Sequence, residues 1–285
     1  MNKKILVPTD FSKNAWQAVD YATKLFLNEP CDFYMLNVFQ PQAYTSNDMM
    51  MPESPEMIPY DTFKEISESN LAELLEKLEV KNSNRRHAFY TVSQFNSLID
   101  GINECVDKYK IDLIVMGTQG ASGAVEEFFG TNTASVMENI RSRPVLAIPE
   151  NLVFMPTQEI VFPTDFSIPF QHHELQYLSD IAHLTKARIA VLHVIKKDDT
   201  LTPEQEENKQ RLENIFAEHE LQYHVLHDSE VTKAVVNFAE SRNSGMIAFL
   251  NREHSFFENL FERPMVKKLS RYARVPILAL HSSQD

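Results

Sequence analysis

The sequence predicts an α/β protein built from two similar halves, each a parallel sheet flanked by helices. Short apolar, β-prone runs alternate with helical segments along the 285 residues, and this alternation is typical of parallel sheets covered on both faces. Runs such as LIVM in the fourth predicted strand are apolar without interruption, which fits burial on both sides. The pentapeptide PTDFS occurs at residues 8–12 and again at 163–167, each time after an apolar run.

Five strands and four helices are predicted in the first half. The strand KILVPT is followed by a helix with regularly spaced apolar residues, and Ser12 is the expected N-cap of that helix. The later segments are strand CDFYMLNVF, a helix over about residues 63–78, strand HAFYTVS, helix SLIDGINECVDKY, strand IDLIVMG, helix TASVMENIRS and strand PVLAIP. The Met- and Pro-rich residues 42–60 are predicted to form a long loop, which is either a lid over a ligand or an unstructured insertion.

The second half repeats this plan in a shorter form. Its segments are strand EIVFP, helix ELQYLSDIAHLTK, strand ARIAVLHVIKK, the polar helix PEQEENKQRLENIFAEHE, strand QYHVLHD, helix VTKAVVNFAESR and strands GMIAFL and VPILAL. A repeat of this length indicates a duplicated domain rather than a solenoid unit. We therefore expect two domains, residues 1–150 and 151–285, with their boundary within PENLVFMPTQ.

Composition and charge limit the classes of function. A net charge of −13 argues against a nucleic-acid or anionic-membrane partner, because both require basic surfaces. No stretch approaches the ~18 apolar residues that a membrane-spanning helix needs. The two cysteines, Cys31 and Cys105, are far apart and are expected to be buried free thiols in a cytoplasmic protein. The ten histidines show no metal-binding spacing.

Glycine usage identifies the segment most suited to binding a ligand. The chain has six glycines, where average usage of about 7% would give roughly twenty. Four of them form the pattern G-x2-G-x2-G-x6-G between the fourth strand and the next helix. If the first and fourth strands are neighbours, this segment meets the first PTDFS corner at the carboxyl edge of the sheet, where ligands bind in such folds. Backbone amides and a helix N-terminus there could hold a triphosphate, with Mg²⁺ balancing its charge.

These motifs resemble those of the universal stress protein family in its tandem two-domain form. The resemblance rests on ILVPTDFS, LNVFQP, DLIVMGTQGASG and RPVLAIP in the first half, and it covers nearly the whole chain. It implies two tandem Rossmann-like domains of the adenine nucleotide alpha hydrolase-like fold, each with a five-stranded parallel sheet. It also implies an ATP-binding sensor or regulator of the stress response, with the two domains paired through their last strands. A homodimer is compatible with the same resemblance.

The ATP-binding members of that family imply roles for residues of the first half. Asp10 would contact the ribose or the Mg²⁺ ion, and Val38 would meet the adenine through its backbone. The other implied ATP-binding residues form the floor beside Asp10, line the ribose and phosphate path, or surround the phosphates: Pro8, Thr9, Met116, Gly117, Gly120, Gly123, Gly130, Thr131, Asn132 and Thr133.

The second half departs from this glycine pattern. Leu250 replaces the first glycine, Arg252 and Glu253 fall near the second, and residues 262–264, Glu-Arg-Pro, replace Gly-Thr-Asn. Side chains would then fill the phosphate space, and Pro264 lacks an N–H donor. We therefore expect a single nucleotide site, in the first half.

Alternative roles remain open for these residues. Asp10 could cap the following helix or satisfy loop amides, as expected for Asp165, and the glycines could be purely conformational. The segment lacks the lysine of a P-loop, and no catalytic residue is predicted, so at most slow ATP hydrolysis is expected. A slow ATPase and a nucleotide-independent interaction module that uses the second half are the alternative functions.

Overall fold

The computed structural model describes residues 2–40, 60–118, 131–195, 200–227, 230–251 and 275–281. The first half contains β1 (Lys3–Pro8), α1 (Lys13–Leu25), β2 (Cys31–Phe39), α2 (Tyr60–Lys81), β3 (His87–Phe95), α3 (Leu98–Tyr109), β4 (Leu113–Gly117), α4 (Thr131–Asn139) and β5 (Val145–Ile148). The second half contains β6 (Glu159–Pro163), α5 (His172–Thr185), β7 (Arg188–Ile195), α6 (Pro203–Ile215), β8 (Leu221–His227), α7 (Val231–Ser241), β9 (Met246–Asn251) and β10 (Ile277–His281).

All ten of these strands belong to one sheet, in the order β3-β2-β1-β4-β5-β10-β9-β6-β7-β8. Neighbouring strands within each half are parallel, as in the β1–β2 and β6–β7 pairs. The last strands of the two halves, β5 and β10, run antiparallel, with Leu278 opposite Leu146. The predicted α/β fold with parallel five-stranded halves is confirmed, and the two halves are continuous in one sheet.

Two apolar layers cover the faces of this sheet. Successive residues of β1 alternate between them: Ile5 and Val7 face the layer of α1, α2, α5 and α6, and Leu6 faces the layer of α3, α4 and α7. All three side chains are fully buried, as expected for a central parallel strand. Each layer continues across the β5–β10 junction, because Leu146 and Leu278 share one face of the sheet and Ala147 and Ile277 share the other.

The predicted elements are present in the described residues, although some bounds differ. The helix expected over residues 63–78 begins at Tyr60, whose ring lies against Phe39 and Phe95 at centroid distances of 5.8 and 5.3 Å. The described part of α2 therefore starts with a residue that tertiary contacts hold in place, which local periodicity does not specify. The rest of the predicted loop, residues 42–59, lies outside the described residues.

Two further local expectations are confirmed. The Ser12 hydroxyl accepts a hydrogen bond from the Ala15 N–H at 3.1 Å, which makes Ser12 the N-cap of α1. Both cysteines are buried free thiols. No helix in the described segments combines the length and the apolar character that crossing a membrane requires.

Candidate functional site

The first PTDFS corner lies where β1 ends at the carboxyl edge of the sheet. β1 pairs with β2 on one side and with β4 on the other, so strand order reverses here, as expected for the ligand edge of such a sheet. The Thr9 N–H donates to the Leu36 carbonyl at 2.8 Å, and the Asn37 amide donates to the Thr9 carbonyl at 2.7 Å. These bonds fix the backbone of Thr9, which directly follows Pro8.

Asp10 is exposed at this edge, and its carboxylate stabilises the turn. Its Oδ1 atom accepts a hydrogen bond from the Ser12 N–H at 3.0 Å. Asp165 accepts the equivalent bond from the Ser167 N–H at the same distance, 3.0 Å. The structural role expected for Asp165 is therefore shared by Asp10, and a difference in ligand binding must come from the surroundings of the two aspartates.

Gly117 ends β4 where the first turn of α1 approaches the sheet. A Cβ atom at this position would lie 2.7 Å from the Asn14 side-chain carbon Cγ and 2.8 Å from the Asn14 backbone oxygen. Asn14 is buried, and its amide contacts the Ile148 carbonyl at 3.5 Å. Packing against Asn14 is thus sufficient to require glycine here. The sequence analysis did not identify Asn14, because only the tertiary fold brings α1 against β4 and β5.

The start of α4 is tied to the end of β4. The Thr133 hydroxyl donates to the Gly117 carbonyl at 2.7 Å, and Thr133 is only 2% exposed. The Thr133 hydroxyl is therefore used for a hydrogen bond inside the protein, whereas the Asn132 side chain is exposed. α4 begins at Thr131, and the first N–H groups of a helix have no partner within the helix. The structure thus brings a helix N-terminus to the carboxyl end of β4.

Val38 and Met116 lie at the same edge but differ in accessibility. Met116 is buried in the apolar layer of α3 and α4, so only its backbone can meet a ligand. Val38 is half-buried beside α3, and a Cβ atom on Gly101 would lie 2.7 Å from its Cγ1 atom and 2.9 Å from the Gln94 Oε1 atom. The sequence analysis missed Gly101, although an isolated glycine inside a helical pattern is a recognised packing signal. Gly120, Gly123 and Gly130 lie outside the described residues.

The charged groups at this edge suit a metal that arrives with its ligand. Within the described ranges, no group of three or more His, Cys, Asp or Glu side chains could hold a metal ion. Mg²⁺ commonly keeps several waters and is bound by one or two carboxylates together with substrate phosphates. The exposed Asp10 at this edge fits that arrangement.

The second PTDFS corner is closed by side chains of the protein. The Gln205 amide donates to the Asp165 carbonyl at 2.8 Å, and the Asn208 amide donates to the Phe166 carbonyl at 2.8 Å. His193 takes the place of Asn37, with its Nδ1 atom 2.9 Å from the Thr164 carbonyl. Phe166 is only 2% exposed as a result, and α6 covers this corner.

Leu250 occupies the position that corresponds to Gly117. β9 pairs Leu250 with Leu280, as β4 pairs Gly117 with Ile148. The Leu250 side chain is 6% exposed and belongs to the core. Leu250 therefore occupies in β9 the position that Gly117 occupies in β4, as expected from the sequence. Arg252, Glu253 and residues 262–264 lie outside the described residues.

Comparisons with known proteins agree with this architecture. A universal stress protein from Archaeoglobus fulgidus is 18% identical, with a TM-score of 0.71 over 99% of this chain and 97% of its own. A functionally unknown protein from Pseudomonas aeruginosa is 12% identical, with a TM-score of 0.64 over 98% of this chain and 92% of its own. At these identities the likeness shows the fold alone. No curated protein matches the chain.

The family follows from the first half. Residues 1–149 match the universal stress protein family, and this region is more than half of the 285 residues. The residues of this match include the first PTDFS corner, the end of β4 and the start of α4. The chain therefore belongs to the universal stress protein family.

Proposed function

We propose that this chain is an ATP-binding universal stress protein that acts as a nucleotide-dependent sensor or regulator, with ATP held in the first half. The observation that carries the proposal is the difference between the two PTDFS corners. In the second half, two amide side chains, Gln205 and Asn208, donate hydrogen bonds to the backbone of the corner. The Leu250 side chain is buried at the end of β9. In the first half, position 117 has no side chain, and Asp10 is exposed.

The proposed placement of ATP follows from this edge. The adenine would meet the backbone of Val38, and the ribose or the Mg²⁺ ion would meet Asp10 beside Pro8 and Thr9. The phosphates would lie between the end of β4 and the N-terminus of α4, because helix N-termini favour anions. Gly120, Gly123, Gly130 and Thr131 would supply backbone donors in this proposal, and the Thr133 hydroxyl would position the loop through Gly117.

The proposed domain organisation gives the second half a structural role. Residues 1–150 and 151–285 would be two domains of the same fold, the first nucleotide-binding and the second degenerate. The antiparallel β5–β10 ladder supports an internal pairing of these domains through their last strands. Such pairing covers two strands that would otherwise be exposed edges and a risk of aggregation. A nucleotide bound in the first domain could then influence the surface of the whole molecule.

Isothermal titration calorimetry on two matched aspartate variants tests the site. Asp10 and Asp165 make the same turn bond to a backbone N–H, so both variants lose this bond, and Asp165→Ala also loses the hydrogen bond from the Ser167 hydroxyl. With Mg²⁺ present, we expect one ATP per wild-type chain and at least tenfold weaker binding in Asp10→Ala, equivalent to about 1.4 kcal/mol. Asp165→Ala should bind as the wild type does.

The other outcomes have clear meanings. Two sites per chain would show that the second corner is open to nucleotide. Absence of binding to nucleotide-free protein would overturn the ATP proposal and favour an interaction module. Single-turnover hydrolysis at stoichiometric ATP separates a sensor from a slow ATPase, and we expect the bound ATP to outlast the assay.

A further inference from the structure

A cleft between α1 and α2 opens beside the first PTDFS corner. We call it the α1–α2 cleft; it is lined by Thr9, Phe11, Ser12 and Lys13 of the corner, by Trp16 on α1 and by one face of α2. Its volume is about 320 Å³, at the lower end of the range of about 300–1,000 Å³ found for small-molecule sites. It is therefore suited to a ligand smaller than a nucleoside triphosphate.

The walls of the α1–α2 cleft include three large apolar side chains. Phe11 and Trp16 are half-buried and Leu74 is buried, so both aromatic rings remain partly accessible. Phe11 has a φ of 63°, a left-handed conformation that is unusual for a bulky residue. Accessible aromatic rings beside an aliphatic side chain favour a flat, apolar ligand.

The charged side chains of the cleft favour an anion. Lys13, Lys77 and Glu73 line it, so two positive charges face one negative charge in a chain whose net charge is −13. The Lys77 ammonium lies 2.6 Å from the Glu73 carboxylate, and the Lys13 ammonium lies 3.4 Å from the Asn151 side-chain oxygen. Because the charge of Lys77 is balanced by that of Glu73, the net positive charge of the cleft comes from Lys13. Because these groups are exposed, we expect the charge to contribute modestly to affinity.

The second half shows that the fold does not require this cleft. Asn70 precedes the buried Leu74 by four residues, and Asn208 precedes the buried Leu212 by four residues in the same layer. Asn208 closes its corner by donating to the Phe166 carbonyl. Asn70 lines the cleft, and its amide makes no hydrogen bond to another described residue. The equivalent asparagine is thus used for closure in one half and left available to a ligand in the other.

We propose that the α1–α2 cleft binds a small aromatic anion, such as an aromatic carboxylate, at a site that lies beside the proposed nucleotide edge and shares Thr9 with it. The ring would lie against Phe11 and Trp16, and the carboxylate would lie between Lys13 and Lys77 with the Asn70 amide as a further donor. Charge-assisted bonds from lysine and amide groups are suited to a carboxylate. The aromatic anion would bind in this cleft whether or not ATP is present.

The single tryptophan of the chain, Trp16, provides a specific readout. In protein labelled with 5-fluorotryptophan, one ¹⁹F resonance reports on the cleft wall. Titration with 2-naphthoate should shift this resonance saturably, with a Kd below about 1 mM. The uncharged 2-naphthamide and the non-aromatic cyclohexanecarboxylate should each bind at least fivefold more weakly.

Two matched lysine variants identify the cleft. Lys77 pairs with Glu73 at 2.6 Å, and Lys24 pairs with Asp20 at 2.7 Å, both at i,i+4 spacing on an exposed helix face. Lys24 lines a neighbouring cleft that also contains Trp16. Lys77→Glu should weaken naphthoate binding at least fivefold, whereas Lys24→Glu should leave it unchanged.

Three results would overturn the proposal. The first is a ¹⁹F resonance that does not shift saturably with 2-naphthoate. The second is equal affinity for naphthoate and naphthamide, which would remove the anion requirement. The third is loss of binding in Lys24→Glu with retention in Lys77→Glu, which would place the ligand in the neighbouring cleft.

Discussion

At the scale of single residues, Gly117 illustrates how one position can serve packing and ligand access together. Its lack of a side chain lets the first turn of α1 approach β4, and Asn14 fills the resulting space. The proposed phosphate path runs past the Gly117 backbone and not through the space that Asn14 occupies. In the second half, Leu250 has the same place in the strand register, and its side chain belongs to the core. Glycine here is thus compatible with both the conformational and the ligand-binding interpretations.

Gly117→Ala should destabilise the protein, because an added Cβ atom would contact the Asn14 backbone oxygen at 2.8 Å and its side chain at 2.7 Å. Overpacking of this kind costs about 1–3 kcal/mol, measurable by urea unfolding. Asn14→Ala in the same chain should restore part of the loss, because it removes the side-chain contact but not the backbone contact. Additive losses in the double-mutant cycle would contradict the proposed contact.

The sequence was informative at this scale where signals were local. Ser12 as N-cap, the burial of Cys31 and Cys105, and the repeated PTDFS corner depend on short-range patterns or composition. Asn14, Gly101 and Asn208 were not identified, because each contacts a residue at least 42 positions away along the chain. Such a partner is known only once the helices are placed on the sheet. Residues that close or open the corners are therefore less predictable than the corners themselves.

At the scale of elements, Glu159 joins β6, β7 and the end of α7 at the edge of the sheet opposite the corners. Its carboxylate accepts hydrogen bonds from Arg188, Arg242 and the Ser244 hydroxyl at 2.6–2.9 Å. Glu159 is only 2% exposed. Burial raises its pKa, but the hydrogen bonds from Arg242, Ser244 and Arg188 outweigh burial and hold the pKa at about 2. The buried carboxylate is therefore charged and fully paired in the folded protein.

This pairing predicts a pH dependence of stability. Because the folded-state pKa lies below the ordinary value of 4.5, the contribution of Glu159 is present above pH 4.5 and is lost as the pH falls towards 2. Glu159→Gln should cost about 2 kcal/mol at pH 7, since it leaves two arginines without their carboxylate. The free energies of unfolding of the wild type and of Glu159→Gln, measured with urea, should become equal as the pH falls from 4.5 towards 2.

A surface carboxylate provides the control for that experiment. Glu73 pairs with Lys77 at 2.6 Å but is well exposed, so Glu73→Gln should leave the urea midpoint close to that of the wild type at every pH. A difference between wild type and Glu159→Gln that stays constant from pH 7 to pH 2 would show that the Glu159 charge does not stabilise the fold.

At the scale of the whole molecule, one continuous sheet runs through both halves. The parallel sheet of each half was predictable from the alternation of strands and helices, whereas the pairing of the first and fourth strands entered only as a condition. Pairing through the last strands was expected only from the family resemblance, because short apolar strands do not specify a partner that is distant along the chain, and the antiparallel direction of β5 and β10 was not predicted. The junction buries Leu146 and Leu278 completely, so separating the halves would expose both apolar layers to water.

We therefore expect the chain to unfold as one cooperative unit, although it contains two copies of one fold. Leu212→Ala, in α6, should cost about 2–5 kcal/mol, because Leu212 is fully buried. If the halves are coupled, amide hydrogen exchange measured by mass spectrometry should accelerate in β1 and β4 as well as in β6 and β9. Leu71→Ala, in α2 of the first half, is the reciprocal variant and should accelerate exchange in β6 and β9. Acceleration confined to the mutated half in both variants would show that β5 and β10 join two independent folding units. The ATP binding proposed for the first half would then stabilise that half alone.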